Sequence, residues 1–278
     1  MLSSEKPLDF IVLIPYYNDL SGLKAALSSI HYDPWSYGIV VVDDGSKLPL
    51  QLSQIKSFCH SQHVHLETLQ FNQGIIHALN TGLDFIYSNL ITKYIARLDC
   101  GDTCMPQRFQ QQVNYLDTHP DTDMLGSWCY FTDHENNKQF LYRTPVNDRE
   151  IRLGMYFRNL FIHPTLMWRY ELKDTIRQYP NQYPNAEDYA LAYAILKKGR
   201  ASILPQALVN CRINMAGLSF GRRKEQLRSR SLVVSDYGEN AFLKRLGVLK
   251  LKLMMGMPTG WIMAYKFIFS RMQQKAQN

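Results

Sequence analysis

Three clusters of acidic residues lie where the sequence pattern predicts that a strand ends or a helix begins. Asp43 and Asp44 follow a run of β-branched residues, Asp99 and Asp102 follow residues 94–98, and Glu187–Asp188 opens an apolar, helix-like segment. Open α/β sheets bind ligands beyond the carboxyl ends of their parallel strands. Carboxylates there can hold a divalent metal, accept a hydrogen bond from a base N–H, or take a proton from a hydroxyl. The clusters therefore predict one site with several chemical roles.

The composition is that of a globular chain with a basic bias. The 278 residues are 46% hydrophobic and 20% charged, which suits one large domain or one domain with an appendage. The net charge of +7 suits a phosphate-bearing ligand, nucleic acid or an anionic membrane, without choosing among them. An odd number of cysteines, five, without a Cys-x-x-Cys pair predicts reduced thiols rather than a disulfide framework or zinc ribbon. The N-terminus lacks signal-peptide features, so we expect a cytoplasmic location.

Strand and helix patterns alternate through the first hundred residues, which predicts βαβ units and a parallel sheet. The first strand is expected to end at Pro15, since proline lacks the N–H that a strand ladder needs. The predicted strands are 10–14, 39–42, 64–69 and 94–98, and the helices between them are 21–30, 50–60 and 75–89. Beyond Pro106 the pattern predicts helices at 108–119, 148–159 and 187–198 and strands at 125–132 and 138–142.

Five segments occur in an order and spacing that resemble the inverting family 2 glycosyltransferases, which have the GT-A fold. They are Val-Leu-Ile-Pro-Tyr-Tyr-Asn at 12–18, Val-Val-Asp-Asp-Gly-Ser at 41–46, the Asn-Gln-Gly segment 72–82, Ala-Arg-Leu-Asp-Cys-Gly-Asp at 96–102 and Ala-Glu-Asp-Tyr at 186–189. Each is weak alone, and the five in order are specific. The resemblance implies an α/β fold with a mostly parallel sheet and a catalytic domain over 1–220. A nucleotide-binding half would cover about 8–105 and an acceptor-binding half about 106–220.

The resemblance implies that the first half binds a nucleotide. Tyr17 would stack on a uracil or similar base, and Asp44 would accept its N3–H. The complete implied set is Pro15, Tyr17, Asn18, Asp43, Asp44, Asn72, Gly74, Asn80, Arg97 and Asp99. Structural alternatives stay open: an Asx turn for the Asp43–Asp44 pair, an architectural role for Gly74 and Asn80, and an ion pair for Arg97.

The Asp99–Asp102 segment departs from the family, whose members usually carry Asp-x-Asp there. Gly101 stands at the second Asp, and Asp102 follows one place later. The resemblance implies Mn²⁺ or Mg²⁺ as the cofactor, with Asp99 and Asp102 as ligands. Asn214 stands where many relatives have a histidine, which argues against a metal-ligating His at that point.

Glu187–Asp188 matches the catalytic Glu-Asp pair of the family. By resemblance Asp188 is the general base that takes the acceptor hydroxyl proton, and Glu187 orients the acceptor or supports the loop. The alternative is an acidic first helical turn that interacts with the helix dipole. His163 and Arg212 are implied acceptor-binding residues, with a structural role for His163 as the alternative.

The segment 221–278 mixes apolar and basic residues and is expected to be helical. Its uncharged run, 253–265, is well short of the roughly 20 residues that span a bilayer. The pattern predicts an interfacial membrane anchor, and the alternative is a helix folded back onto the core. The basic residues are dispersed beside apolar ones, which favours a membrane surface over nucleic acid.

The function that the resemblance implies is transfer of a sugar, with inversion, from a nucleotide-diphosphate donor, and the expected donor is a UDP-sugar. A glycan or lipid-linked glycan would accept it during surface polysaccharide synthesis, on the cytoplasmic face of the membrane. A Rossmann dehydrogenase is excluded because Gly-x-Gly-x-x-Gly is missing after the first strand. A nucleotidyltransferase would show a glycine-rich phosphate loop with a basic residue, and none occurs. A catalytically inactive nucleotide-sugar binder or membrane scaffold remains the alternative, because of Gly101.

Overall fold

A nine-stranded sheet flanked by helices organises the chain. The computed structural model describes residues 7–133, 137–213 and 222–256. The strands are β1 Leu8–Tyr16, β2 Tyr37–Asp43, β3 His63–Thr68, β4 Thr92–Arg97, β5 Thr103–Cys104, β6 Met124–Thr132, β7 Lys138–Tyr142, β8 Met167–Arg169 and β9 Ala201–Arg212. The helices are α1 Leu20–Ser28, α2 Leu52–Phe58, α3 Ile75–Asn89, α4 Arg108–Thr118, α5 Asp148–Met155, α6 Glu187–Lys198, α7 Arg223–Tyr237 and α8 Ala241–Gly256. Short 3₁₀ helices occupy His163–Thr165 and Tyr170–Asp174.

The first half forms the parallel sheet that the alternating pattern predicts. Its strands lie in the order β3-β2-β1-β4, and each neighbouring pair is parallel. β1 and β2 are almost wholly buried because helices cover both faces of the sheet. Leu13 packs in the cluster that contains the apolar face of α3, while Val12 and Ile14 pack in the cluster that contains α1.

β1 continues through Pro15 and ends at Tyr16, one residue past the expected stop. Pro15 pairs with Val42 of β2, but the pairing of β1 with β4 already ends at Leu13. Pro15 therefore lies where β1 has a neighbour on one side only, and a missing N–H is tolerated there.

The second half continues the same sheet through β8, β6, β9 and β5, and β7 pairs with β6. β9 runs parallel to β6 and antiparallel to β5, and it was not predicted from the sequence. Pro205 and Gln206 interrupt its apolar pattern. The structure accommodates them at an irregularity where Leu204 pairs with Ser127 and Ala207 with Trp128.

Asn80, one of the expected nucleotide-binding residues, has its side chain engaged within the protein. Asn80 is buried in α3, and its side-chain amide forms two hydrogen bonds with the backbone of Tyr179. Its Nδ2 donates to the Tyr179 carbonyl at 3.0 Å, and its Oδ1 accepts from the Tyr179 N–H at 2.7 Å. Asn80 thus fixes the segment before α6 against α3, which is the architectural alternative.

α7 and α8 cover the second half, as the helical expectation for this part of the chain predicts. α8 packs on the core through Gly247 and Leu251, and a Cβ at Gly247 would lie 2.1 Å from the carbonyl oxygen of Tyr156. Most of the uncharged run 253–265 lies outside the described residues. Within 7–133, 137–213 and 222–256, no helix is both long and apolar enough to cross a bilayer. All five cysteines are free.

Candidate active site

A cavity of about 410 Å³ brings two of the acidic clusters together. Asp99, beyond the end of β4, lines it together with Glu187 and Asp188, at the start of α6. Pro15, His163 and Asn185 also line this cavity. Five of the sequence-predicted site residues, from both halves of the chain, therefore face one space: Pro15, Asp99, His163, Glu187 and Asp188.

Arg97 fixes the position of Asp99. Its side chain is fully buried at the end of β4 and donates to the carbonyl oxygens of Leu13 and Leu98. Its Nη2 pairs with Asp99 Oδ1, and its Nε donates to His163 Nε2 at 3.1 Å. A buried guanidinium needs such partners because an unpaired buried charge is costly. Arg97 thus forms the ion pair that the sequence left open as the alternative, and this pair orients Asp99.

His163 is held as a neutral imidazole. Burial, and then the charge of Arg97, lower the pKa of His163 to about 3. Its Nε2 accepts from Arg97 and lies 2.8 Å from the Tyr179 hydroxyl. Because arginine has no lone pair to offer, Nε2 must be unprotonated, and the ring proton therefore sits on Nδ1. His163 contributes a polar but uncharged group to the cavity.

Glu187 and Asp188 form a partly buried acidic pair. Burial, and then the charge of Asp188, raise the pKa of Glu187 to about 7. Burial also raises the pKa of Asp188, and the charge of Arg230 opposes that shift. Asp188 accepts from Asn159 Nδ2 at 2.8 Å and from the Tyr189 N–H at 2.7 Å. These bonds fix the Asp188 carboxylate on the cavity wall, while Glu187 Oε2 is buried without a partner among the described residues.

The two aspartates after β2 have separate surroundings. Asp43 is fully buried and accepts from the backbone N–H groups of Ser46 and Leu50, so it shapes its own loop. Asp44 accepts from Asn72 Nδ2 and from the N–H groups of Gln73 and Gly74, at 2.7–3.0 Å. A carboxylate has about four acceptor positions, so Asp44 keeps roughly one for a ligand. Asp44 thus joins the β2 loop to the turn before α3.

The loop after β1 exposes an aromatic ring beside this pair of loops. Tyr17 is 47% exposed, so its ring is accessible to a planar ligand. Asn18 adopts φ +52°, donates its N–H to Ser46 Oγ and accepts from the Lys47 N–H. Asn18 therefore holds the β1 and β2 loops together, and Tyr17 is the group left available for stacking.

Gly101 and Arg212 are packed against each other beside Asp99. Gly101 has φ +98°, and a Cβ there would lie 2.3 Å from Arg212 Nη2. Asp102 is buried, and its Oδ1 accepts from the Arg212 backbone N–H at 2.8 Å. Burial, and then the charge of Asp99, raise the pKa of Asp102 above its ordinary value.

Several residues of the site were missed from the sequence. Asn185 lines the cavity in a left-handed conformation, with φ +60°, and its Nδ2 is buried without a partner among the described residues. Asp19 caps α1 and pairs with Arg212. The helix-capping preference of aspartate could have identified Asp19, whereas nothing local to the sequence marks Asn159 or Asn185.

Comparison with known proteins identifies the family. Residues 11–189 match the family model described as Glycosyl transferase family 2. The chain belongs to this family. This confirms the family that the five sequence segments resembled, and the fold that the resemblance implied.

Two curated relatives and one solved structure illustrate the similarity. The amylovoran biosynthesis glycosyltransferase AmsE of Erwinia amylovora is 28% identical over 245 residues, covering 87% of this chain and 89% of AmsE. The UDP-Gal:alpha-D-GlcNAc-diphosphoundecaprenol beta-1,3-galactosyltransferase of Escherichia coli is 25% identical over 217 residues, covering 77% of each chain. S. aureus TarS 1-349 in complex with UDP-GlcNAc superposes with a TM-score of 0.63 at 19% identity, covering 88% of this chain and 71% of TarS. At 19% identity, the similarity to TarS shows the fold alone.

Members of this family commonly use a divalent metal, and within the part of the chain that the structure describes no group of three or more metal-ligating side chains could hold one. Asp99 has one oxygen engaged by Arg97, and Asp102 is buried against the Arg212 backbone. The Arg212 guanidinium fills the space beside Gly101, where a further carboxylate would point. A cation held between two carboxylates, as expected for Asp99 and Asp102, is therefore not supported by this arrangement.

We predict that Glu187→Gln gains stability relative to the wild type as the pH rises. The folded-state pKa of Glu187 is raised from 4.5 to about 7, so the stability tied to its protonation is complete below pH 4.5 and is lost as the pH rises through 7. Glutamine does not ionise, so the variant keeps its stability over the same pH range. The difference in the free energy of unfolding should grow to about 3 kcal/mol by pH 8.

Urea unfolding between pH 4.5 and pH 8 measures this difference, with Glu171→Gln as the control at an exposed glutamate. A difference that stays constant over this range would contradict the buried, protonated state of Glu187.

Proposed function

We propose that the chain is an inverting glycosyltransferase that moves a sugar from a UDP-linked donor to a hydroxyl of a lipid-linked glycan. The observation that carries this proposal is the shared cavity of Asp99 with Glu187 and Asp188. Its volume of about 410 Å³ is sufficient for a sugar ring between a donor-side and an acceptor-side carboxylate. The catalytic domain would cover 1–220, with the C-terminal segment as a membrane-associating extension.

The donor side is supported by the loops after β1 and β2. Uracil would stack on Tyr17, and its N3–H would donate to the free acceptor position of Asp44. Asn72, Gly74 and Asp43 would act through the loop geometry that they hold rather than through direct contact. The TarS structure carries UDP-GlcNAc on the same fold, which favours a UDP-sugar here.

The acceptor side is supported by the environment of Asp188. A base whose pKa is raised by burial accepts a proton more readily than an ordinary aspartate. Asp188 takes the proton of the acceptor hydroxyl as that oxygen forms a bond with the anomeric carbon. The bond from this carbon to the diphosphate breaks on the opposite face, so an α-linked donor gives a β-linked product. Glu187, with one unpartnered oxygen, orients the acceptor, and His163 offers it a neutral polar contact.

The acceptor class is proposed from the relatives and from α8. AmsE acts in amylovoran biosynthesis, and the name of the Escherichia coli relative gives a diphosphoundecaprenol-linked acceptor. α8 exposes an apolar stripe at i, i+4, i+7 and i+11, each residue between 39% and 69% exposed: Phe242, Leu246, Leu249 and Leu253. Lys and Arg residues lie between them in the sequence. This combination suits the headgroup region of an anionic membrane, so we place the enzyme on the cytoplasmic membrane face, in surface polysaccharide synthesis.

We predict that Asp188→Asn abolishes transfer while it preserves donor binding. An amide cannot accept the hydroxyl proton, so turnover should fall by about 10²-fold or more. The measurement is release of UDP from a panel of UDP-sugars with a membrane extract as the acceptor source, alongside UDP binding by calorimetry. Asp121→Asn, at an exposed ion pair, is the matched control.

Equal turnover of Asp188→Asn and the wild type would refute the role of Asp188 as the base. UDP-sugar binding without turnover in the wild type would instead favour the inactive nucleotide-sugar binder.

We predict that the α8 stripe binds anionic vesicles. The double variant Leu249→Asp/Leu253→Asp should lower the vesicle affinity at least tenfold, because each buried leucine contributes about 1.5–3 kcal/mol. Cosedimentation with vesicles of phosphatidylglycerol and phosphatidylcholine measures this. Leu48→Asp/Leu153→Asp is the control at exposed leucines of the catalytic domain. Equal binding of both double variants, or no binding of the wild type, would refute the membrane role of α8.

A further inference from the structure

The space beside Gly101 is occupied by a cation that belongs to the protein itself. A Cβ built on Gly101 would lie 2.3 Å from Nη2 and 2.6 Å from Cζ of Arg212. No side chain at position 101 could coexist with the guanidinium in this place. Gly101 therefore leaves open the space that the Arg212 guanidinium occupies.

Arg212 is held in this place from two directions. Its backbone N–H donates to Asp102 Oδ1 at 2.8 Å, which fixes the end of β9 against the turn after Asp99. Its Nη2 donates to Asp19 Oδ2 at 2.6 Å. Asp19 is itself fixed, because its Oδ1 accepts from the Gly22 N–H and from Ser21 Oγ at the start of α1. The guanidinium is thus preorganised rather than a free surface side chain.

Arg212 lines a cavity that shares part of its wall with the active site. Arg212 lines a second cavity of about 290 Å³, and Asp99 and Cys100 line both this cavity and the 410 Å³ cavity. An arginine has five N–H donors, and one of them is used on Asp19. Planar guanidinium donors match phosphate oxygens in a bidentate manner. A group that extends from the sugar cavity past Asp99 therefore meets donors of Arg212 that have no partner among the described residues.

Among the described residues, the charges beside Gly101 do not form the carboxylate cluster that a divalent metal binds. Asp99 is paired with Arg97, and Asp19 is paired with Arg212. A second carboxylate at 101 would leave a net negative charge that a divalent cation neutralises, whereas the guanidinium in its place repels such a cation. Asp102 is buried and is engaged by the Arg212 backbone, so it does not replace the missing ligand.

We propose that Arg212 binds the diphosphate of the donor directly, and that this chain binds and uses its donor without a divalent metal. This inference rests on the proposed function. When the bond between the anomeric carbon and the diphosphate oxygen breaks, the electron pair stays on that oxygen. The guanidinium N–H groups of Arg212 offset the new negative charge, while the proton of the acceptor hydroxyl goes to Asp188.

The test is UDP binding by the full chain, measured by calorimetry in excess EDTA and again with Mn²⁺. We expect wild-type affinities that agree within about twofold, because the phosphates are bound by a side chain rather than through an ion. Arg212→Gln should weaken UDP binding at least tenfold, which is the usual effect of losing a hydrogen bond to a charged group. Its affinity for uridine, which has no phosphate, should stay unchanged. Arg212→Lys should retain part of the UDP affinity.

Arg200→Gln is the matched control, since Arg200 precedes β9 at the end opposite to Arg212 and forms an exposed ion pair with Asp121. Thermal unfolding of each variant shows whether it is folded. If Arg212→Gln does not fold, the wild-type comparison in EDTA still tests whether donor binding needs a metal. Wild-type UDP affinity that falls tenfold in EDTA and recovers with Mn²⁺ would overturn the inference. Unchanged UDP affinity of folded Arg212→Gln would overturn it as well. A wild type that binds no UDP under either condition would refute the proposed UDP donor, and the inference with it.

Discussion

The buried guanidinium of Arg97 is the interaction on which the site depends. It joins the carbonyl oxygen of Leu13 in β1, the carboxylate of Asp99 and the ring of His163. Loss of Asp99 would leave the fully buried guanidinium without this carboxylate, which is unfavourable for a buried charge. The position of Asp99 is therefore fixed by the same side chain that joins two neighbouring strands.

Around this fixed point, burial determines the chemistry of each ionisable group. Glu187 and Asp188 lie at the start of α6 with raised pKa values, and His163 remains neutral beside Arg97. Asp44 is by contrast surrounded by N–H donors from the turn before α3. The carboxylates therefore act differently. Asp188 accepts a proton readily, whereas Asp44 organises a binding loop.

Sequence patterns predicted the parallel half of the sheet and the meeting of two of the three acidic clusters, because strand ends and helix starts are local features. They did not predict β9, because Pro205 interrupts its apolar pattern. The strand is defined by its pairing with β6, which is not a local feature. The Arg212–Asp19 and Asn80–Tyr179 contacts join residues 193 and 99 positions apart, so no local pattern encodes them. Gly101 was recognised as a departure, but its explanation required the position of the Arg212 side chain.

A crystal structure with a non-hydrolysable UDP-sugar tests the account most directly. We expect the sugar to lie in the cavity shared by Asp99 and Asp188. The diphosphate should contact Arg212, and the anomeric carbon should face Asp188. Donor density outside this cavity, or an anomeric carbon more than about 15 Å from the Asp188 carboxylate, would contradict it, because one acceptor hydroxyl could not then reach both groups.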